Sequence, residues 1–137
     1  MDIEYKKILP EDVYVSILDE EQHACEPTGN NYIDAFVLLV RHYQHADAKF
    51  YAMKMNADPS HFGGAIYTLT GLFPKDWCVR YVMLSAYELL EKTDKSIKDV
   101  AKRCGFTSGT IFSRFFEQHA HMRPKIWRRQ KRGIVKA

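Results

Sequence analysis

Two stretches of the sequence follow one plan. A short helical pattern leads to a turn of three or four residues, then to a second helical pattern, and then to a proline that opens a third. The first stretch runs over residues 47–69 to Pro74, the second over 96–119 to Pro124. Ala52 lies 22 residues before Pro74 and Ala101 lies 23 before Pro124, and each proline is followed at the same offset by a tryptophan, Trp77 or Trp127. A small residue is needed where the two helices of a helix-turn-helix approach closely, and Ala52 and Ala101 stand there. Proline suits the first helical turn, where an N–H has no partner anyway. This doubling constrains the chain more than its composition does, because it asks for two helix-turn-helix units joined by one long helix.

The apolar periodicity supplies the remaining elements. Tyr32, Phe36, Leu39, Val40 and Tyr43 recur at helical spacing, so residues 31–45 form an amphipathic helix capped by Asn30 or Asn31. Residues 47–55 make a short helix with Phe50, Tyr51 and Met55 inward, broken at Asn56-Ala57-Asp58. Asp58 caps the next, 59–69, with Pro59 at its first position and Gly71 as a left-handed stop. Phe62, Ile66 and Phe73 read as core there. Pro74 opens a long helix through Trp77, Tyr81, Leu84, Leu89 and Leu90 to Lys92. Ser96 caps a helix with Ile97, Val100 and Ala101 inward, stopping at Cys104-Gly105. Ser108 caps another, with Ile111, Phe112, Phe115 and Phe116 as its apolar face, and Pro124 opens the last, holding Ile126 and Trp127. Seven helices over about 105 residues with short connections describe an all-α fold. Ahead of them, Ile3, Tyr5, Val13, Val15 and Ile17 alternate about Pro10-Glu11-Asp12, the pattern of a short β-hairpin, and residues 20–31 read as a linker. The expected divisions are an acidic arm and linker at 1–30, a first helix-turn-helix subdomain at 31–73, a linker helix at 74–92, a second subdomain at 93–132 and a tail at 133–137.

Charge is laid unevenly along this plan. The net +3 divides into −6 over residues 1–31, zero over 32–92 and +9 over 93–137. A basic last third suggests a polyanionic partner, and the competing reading is a solvated surface with a basic tail. With 46% apolar residues the chain can build a core. No run approaches the roughly 18 apolar residues needed to span a bilayer, and Met1-Asp2-Ile3-Glu4 lacks the basic start of a secretory signal. A cytoplasmic protein without a membrane partner is therefore expected. Cys25, Cys78 and Cys104 include no CxxC pair and read as free, mostly buried thiols. His42 with His45, and His119 with His121, lack further ligands at zinc spacing, so neither a metal nor a cofactor is expected. No GxSxG, GxGxxG or P-loop is present and no pair of groups suits general acid–base work, so the chain does not read as an enzyme.

Ser96-Ile97-Lys98-Asp99-Val100-Ala101, Gly105-Phe106, Phe112-Ser113-Arg114-Phe115-Phe116, Pro124 and Trp127-Arg128 resemble the second helix-turn-helix of AraC/XylS-type transcription regulators. Gly71, Pro74 and Trp77, with Ala86, Leu89 and Leu90, resemble the close of that family's first unit and its linker helix. The resemblance covers residues 32–132. Three positions depart from it. His121 replaces the glycine after the second recognition helix, in a turn where φ is positive. Val82 replaces an arginine of the linker helix, and Gly64 replaces an arginine of the first recognition helix.

The resemblance implies a sequence-specific, bacterial-type regulator of transcription acting on double-stranded DNA, with the second helix of each unit in a major groove. In the second unit it implies base readers among Thr107, Gly109, Thr110, Ser113 and Arg114, while the helix start capped by Ser108 would offer free N–H groups to a phosphate. Arg114 is suited to guanine, and its competing role is an ion pair with Asp99 or Glu117. Lys98, Lys102, Arg103, Arg123 and Lys125 would meet phosphates. Arg128, Arg129, Lys131 and Arg132 either join them or complement a helix C-terminus. In the first unit Ser60, His61, Gly63, Gly64 and Tyr67 would face DNA, yet no lysine or arginine occurs from Asp58 to Gly71. The second unit is thus expected to carry most contacts. The alternative is a protein-interaction module that kept the fold and binds another regulator or RNA polymerase. Family members often carry a sensor domain. Thirty preceding residues cannot enclose a cavity of about 300 Å³, so neither a separate sensor nor a small-molecule effector is expected. One use of the acidic arm would be to shield the basic face, in which case its removal tightens non-specific binding.

Overall fold

The computed structural model describes residues 7–19 and 26–133. Among these are eight helices and no strand: α1 (Pro10–Val13), α2 (Asn31–Tyr43), α3 (Ala48–Lys54), α4 (Pro59–Thr70), α5 (Pro74–Lys92), α6 (Ile97–Arg103), α7 (Gly109–Ala120) and α8 (Pro124–Lys131). The starts are fixed by side chains that accept from otherwise unpaired N–H groups. Asn30 accepts from Ile33 N, Asp47 from Phe50 N, Asp58 from Ser60 N and His61 N, Ser96 from Asp99 N, and Ser108 from Ile111 N. Pro59, Pro74 and Pro124 each occupy the first turn of their helices. No described helix is long and apolar enough to cross a membrane.

The repeat seen in the sequence is a repeat of hydrogen bonds. Ala57 N donates to Ala52 O, and Phe106 N to Ala101 O, each at 2.9 Å. Asn56 and Gly105 hold the left-handed residue of the two turns, at φ of 53° and 87°. Gly71 and His121 end α4 and α7 in the same left-handed conformation, at φ of 81° and 60°. After the turns the two units run fifty residues apart, so Phe62 matches Phe112 and Ile66 matches Phe116, all fully buried.

Two cores result, and α5 serves both. Its Trp77, Cys78 and Tyr81 join Phe36, Tyr51, Phe62 and Ile66, while Val82, Met83, Ala86, Leu89 and Leu90 join Val100, Ala101, Phe112 and Phe116. Burial pushes the Cys78 and Cys104 thiols up to about 12, as inert apolar residues; Cys25 lies outside the described residues.

Several side chains lie differently from the sequence expectation. Residues 10–13 are helical rather than part of a hairpin, because Asp12 accepts from Leu9 N at 3.0 Å and Pro10 starts a helical turn. Ile3 and Tyr5 lie outside the described residues. Ile111 is 50% exposed: it is the counterpart of His61, at the solvent edge of the Phe112–Phe116 face. Phe73 is 54% exposed, because the residue before Pro74 is extended and its ring stacks on Tyr67 at 4.6 Å. Ile126 is exposed on α8.

The acidic segment ahead of α2 is packed along its described part. Val13 lies in the first core and Ile17 in the second. Between them the Glu88 carboxylate of α5 accepts from Tyr14 Oη, Ser16 Oγ and Ile17 N at 2.7, 2.8 and 2.9 Å. Burial would raise this carboxyl, but those three donors and Lys92 hold it below the usual carboxylate range.

Candidate nucleic-acid interface

The N-terminus of α7 projects into solvent beside α6. Ser108 caps it through a 3.1 Å bond from Ile111 N, leaving other first-turn N–H groups and the positive end of the helix dipole outward. At Gly109 a Cβ would come within 3.6 Å of Lys98 Cα, so this small residue marks the crossing of α6 and α7. Around it opens a cleft of 1170 Å³ lined by Lys98, Lys102, Thr107, Ser108, Gly109, Thr110, Ser113, Arg114 and Arg123, with Asp99 and Glu117. Lys125 lines an adjoining hollow with Ser113 and Arg123. Residues separated by up to 27 positions are thereby brought to one face.

Within that face Arg114 is exposed and pairs with neither Asp99 nor Glu117. Glu117 instead lies 3.9 Å from Arg123 Nε, a contact between two exposed groups that contributes little. Arg103, grouped with the cleft lysines from sequence, is not in the cleft. Its guanidinium turns the other way around α6 and donates to Ile17 O at 3.0 Å. Arg128 and Arg132 are likewise engaged. Arg128 donates to Leu90 O and Lys95 O at 2.8 and 2.7 Å; Arg132 donates to Glu91 O at 3.1 Å, to Thr93 O and to Asp94 Oδ1. The two arginines satisfy the carbonyls that end α5, which is the helix-terminus role. Lys131 sits over the Trp127 ring at 5.9 Å, and Arg129 is exposed.

The first unit presents a different surface. Ser60, His61 and Gly64 line a shallow hollow with Ala65, Thr68 and Leu69; Gly63 is half-buried beside them and Tyr67 is exposed against Phe73. The fifty-residue register places Gly64 where the second unit has Arg114, Gly63 opposite Ser113 and Ser60 opposite Thr110. A Cβ at Gly63 or Gly64 would meet nothing within 4 Å, so packing does not require either glycine. Replacing Gly64 by arginine should stabilise α4 by about 0.5–1 kcal/mol, read as a raised urea midpoint at unchanged slope. An unchanged or lowered midpoint would refute the open space at this position.

Sequence reasoning missed Glu88, Arg41 and Arg80. Glu88 carried one signal, an acid inside the apolar run from Tyr81 to Leu90. Lys92 is a local i,i+4 partner, but the donors Tyr14, Ser16 and Ile17 are 71 to 74 positions away and no local pattern reveals them.

The comparisons agree with this architecture. A family model described as a helix-turn-helix domain matches residues 51–130. The HTH-type transcriptional activator RhaS of Escherichia coli O1:K1 / APEC is 32% identical over 66 residues, covering 48% of this chain and 24% of RhaS. RhaS of Shigella boydii serotype 18 matches to the same extent. The match thus spans about a quarter of the length of these relatives. The DNA-binding domain of AdpA, a global transcriptional factor solved in complex with a target DNA, superposes with a TM-score of 0.67 at 25% identity, covering 77% of this chain and 96% of that domain. The C-terminal domain of AraT, a response regulator from Geobacillus stearothermophilus, shares the fold with a TM-score of 0.68 at 21% identity, covering 76% and 88%.

Two such units on one linker helix define a double helix-turn-helix protein of the transcription-regulator class. The chain belongs to the AraC/XylS-type family of transcription regulators.

Proposed function

We propose that this chain is a sequence-specific regulator that binds double-stranded DNA through two units of unequal strength, with α7 as the principal reader. The observation that carries this reading is the cleft at the capped start of α7, where Arg114, unpaired among the described residues, stands among lysines and hydroxyl groups on one exposed face. Arg114 presents two parallel N–H donors to the O6 and N7 of guanine. Thr107, Gly109, Thr110 and Ser113 reach neighbouring base edges, and the start of α7 capped by Ser108 brings backbone N–H groups to a phosphate. Lys98, Lys102, Arg123 and Lys125 neutralise phosphates and set the register without reading sequence. In the first unit α4 approaches the groove through Ser60, His61, Gly63, Gly64 and Tyr67, by shape rather than by charge. The relatives support the reading: RhaS is a transcriptional activator, and the AdpA domain was solved on its target DNA.

Selection of preferred sites from a random duplex library, followed by gel-shift titration, tests it. With four phosphate contacts the slope of log K against log salt is about −3 to −4. A flat salt dependence, with no retention on heparin and no enriched sequence, would favour the protein-interaction module bound to RNA polymerase or another regulator.

A further inference from the structure

We propose that residues 7–19 form a clamp that holds the two helix-turn-helix units at one separation, and so determines which spacing between two DNA half-sites the chain accepts. The proposal deepens the DNA-binding reading and rests on it.

The segment is tied to both units along its length. On the first, Trp77 Nε1 donates to Ile8 O at 3.1 Å, Arg80 donates to Glu11 Oε1 at 2.8 and 3.0 Å, and Val13 is buried in the core. On the second, Ile17 is buried and its carbonyl accepts from Arg103 of α6. One residue away the segment returns to the first unit, because Arg41 of α2 donates to Ser16 O and Asp19 O at 3.2 and 3.1 Å. Arg41 and Arg103, on helices of different units, therefore grip the same four residues of backbone. Glu88 is the positioning residue of the strap, accepting three bonds from it in the last third of the helix that joins the units.

Among the described residues the units also meet through the continuous α5 and through one local junction after α2, where His45 N donates to Cys104 O at 3.0 Å and the His45 ring lies on Phe106 and Phe115. A helix and one further tie leave the units free to tilt about the line between them; a tie from a third direction removes that freedom. To read one duplex together, the two recognition helices must enter successive major grooves about 34 Å apart. A held pair accepts one spacing well and others poorly. A loosened pair accepts several, each more weakly, because orientation is then lost on binding.

The test uses the full chain with Cys25→Ser and spin labels on Thr68→Cys and Gln118→Cys, both exposed sites on the two recognition helices. The buried Cys78 and Cys104 do not label under the same conditions. Two strap variants are compared, Val13→Ser/Ile17→Ser and Tyr14→Phe/Ser16→Ala. The first reading is the label-to-label distance distribution without DNA. The second is affinity for duplexes whose half-sites, taken from library selection, are stepped apart one base pair at a time. The parent should give one narrow distance and lose about tenfold or more in affinity for a step off the preferred spacing, and the variants should give a broad distance and a preference flattened to about threefold. A narrow distance and an unchanged spacing preference in both variants would overturn the clamp while leaving DNA binding in place. No binding by any protein, parent included, would overturn the DNA reading and the spacing role together, whatever the distances show. If Val13→Ser/Ile17→Ser loses its helical circular dichroism, Tyr14→Phe/Ser16→Ala decides, since it keeps both apolar anchors.

Discussion

Replacing Gly105 by alanine is expected to destabilise the chain by about 3 kcal/mol. The Cβ would lie 2.7 Å from His45 N, 2.9 Å from Tyr43 O and 3.0 Å from His45 O. All three are backbone atoms at the end of α2, so none can swing aside. The left-handed conformation is not by itself the reason, because Asn56 holds the equivalent turn at φ 53° with a full side chain. What differs is that the second turn is pressed against the first unit, with the His45 ring stacked on Phe106 at 4.1 Å. Urea unfolding measures the loss. A shift below about 1 kcal/mol would mean that the two units are not in contact at this point.

Arg114→Ala is expected to remove about 1–3 kcal/mol of specific binding while leaving stability nearly unchanged. The side chain is exposed and free of ion pairs with Asp99 and Glu117, so its loss disturbs no folded contact. Gel-shift titration on the selected site and on a scrambled duplex separates the two effects. Specific affinity should fall towards the scrambled value, and melting should not move. If the specific titration overlays the parent, α7 reads bases through other residues and the unequal-units reading loses its centre. Arg103→Ala is the instructive contrast, since its guanidinium lies on Ile17 O and its removal should not alter the preferred base sequence.

What could be read from the sequence was what local chemistry decides. Asp58, Ser96 and Ser108 each cap the helix that follows, and Pro59, Pro74 and Pro124 each start one, because a cap or an N-terminal proline acts within three residues. Gly71 and His121 end their helices as left-handed residues for the same reason. The grouping of Lys98, Lys102, Ser108, Arg114 and Arg123 followed from the helix-turn-helix plan once that plan was recognised. What local chemistry does not decide was missed. The docking of residues 7–19 depends on partners such as Arg103 that lie 86 positions away. Val13 and Ile17 were seen as alternating apolar residues, yet periodicity alone could not say that each belongs to a different core. Periodicity places Ile111 and Phe73 inward because it identifies an apolar face but not how far round the helix the solvent reaches. For Arg128 and Arg132 the sequence leaves two roles open, a basic face or a helix C-terminus, and their bonds to the end of α5 match the second.

That fastening of α5 by α8 has a consequence for the order of events during synthesis. The first core is complete in sequence at Tyr81, whereas the end of α5 waits for Arg132. At ~5–20 residues per second the interval is about 3–10 s. In a chain whose first unit folds as it emerges, the N-terminal half of α5 is then packed, while Leu89 and Leu90 lack the aromatic residues of α7 and the carbonyls behind them lack their arginines. The nascent chain is thus a finished unit trailing an open apolar helix, the state that a chaperone at the ribosome exit would meet.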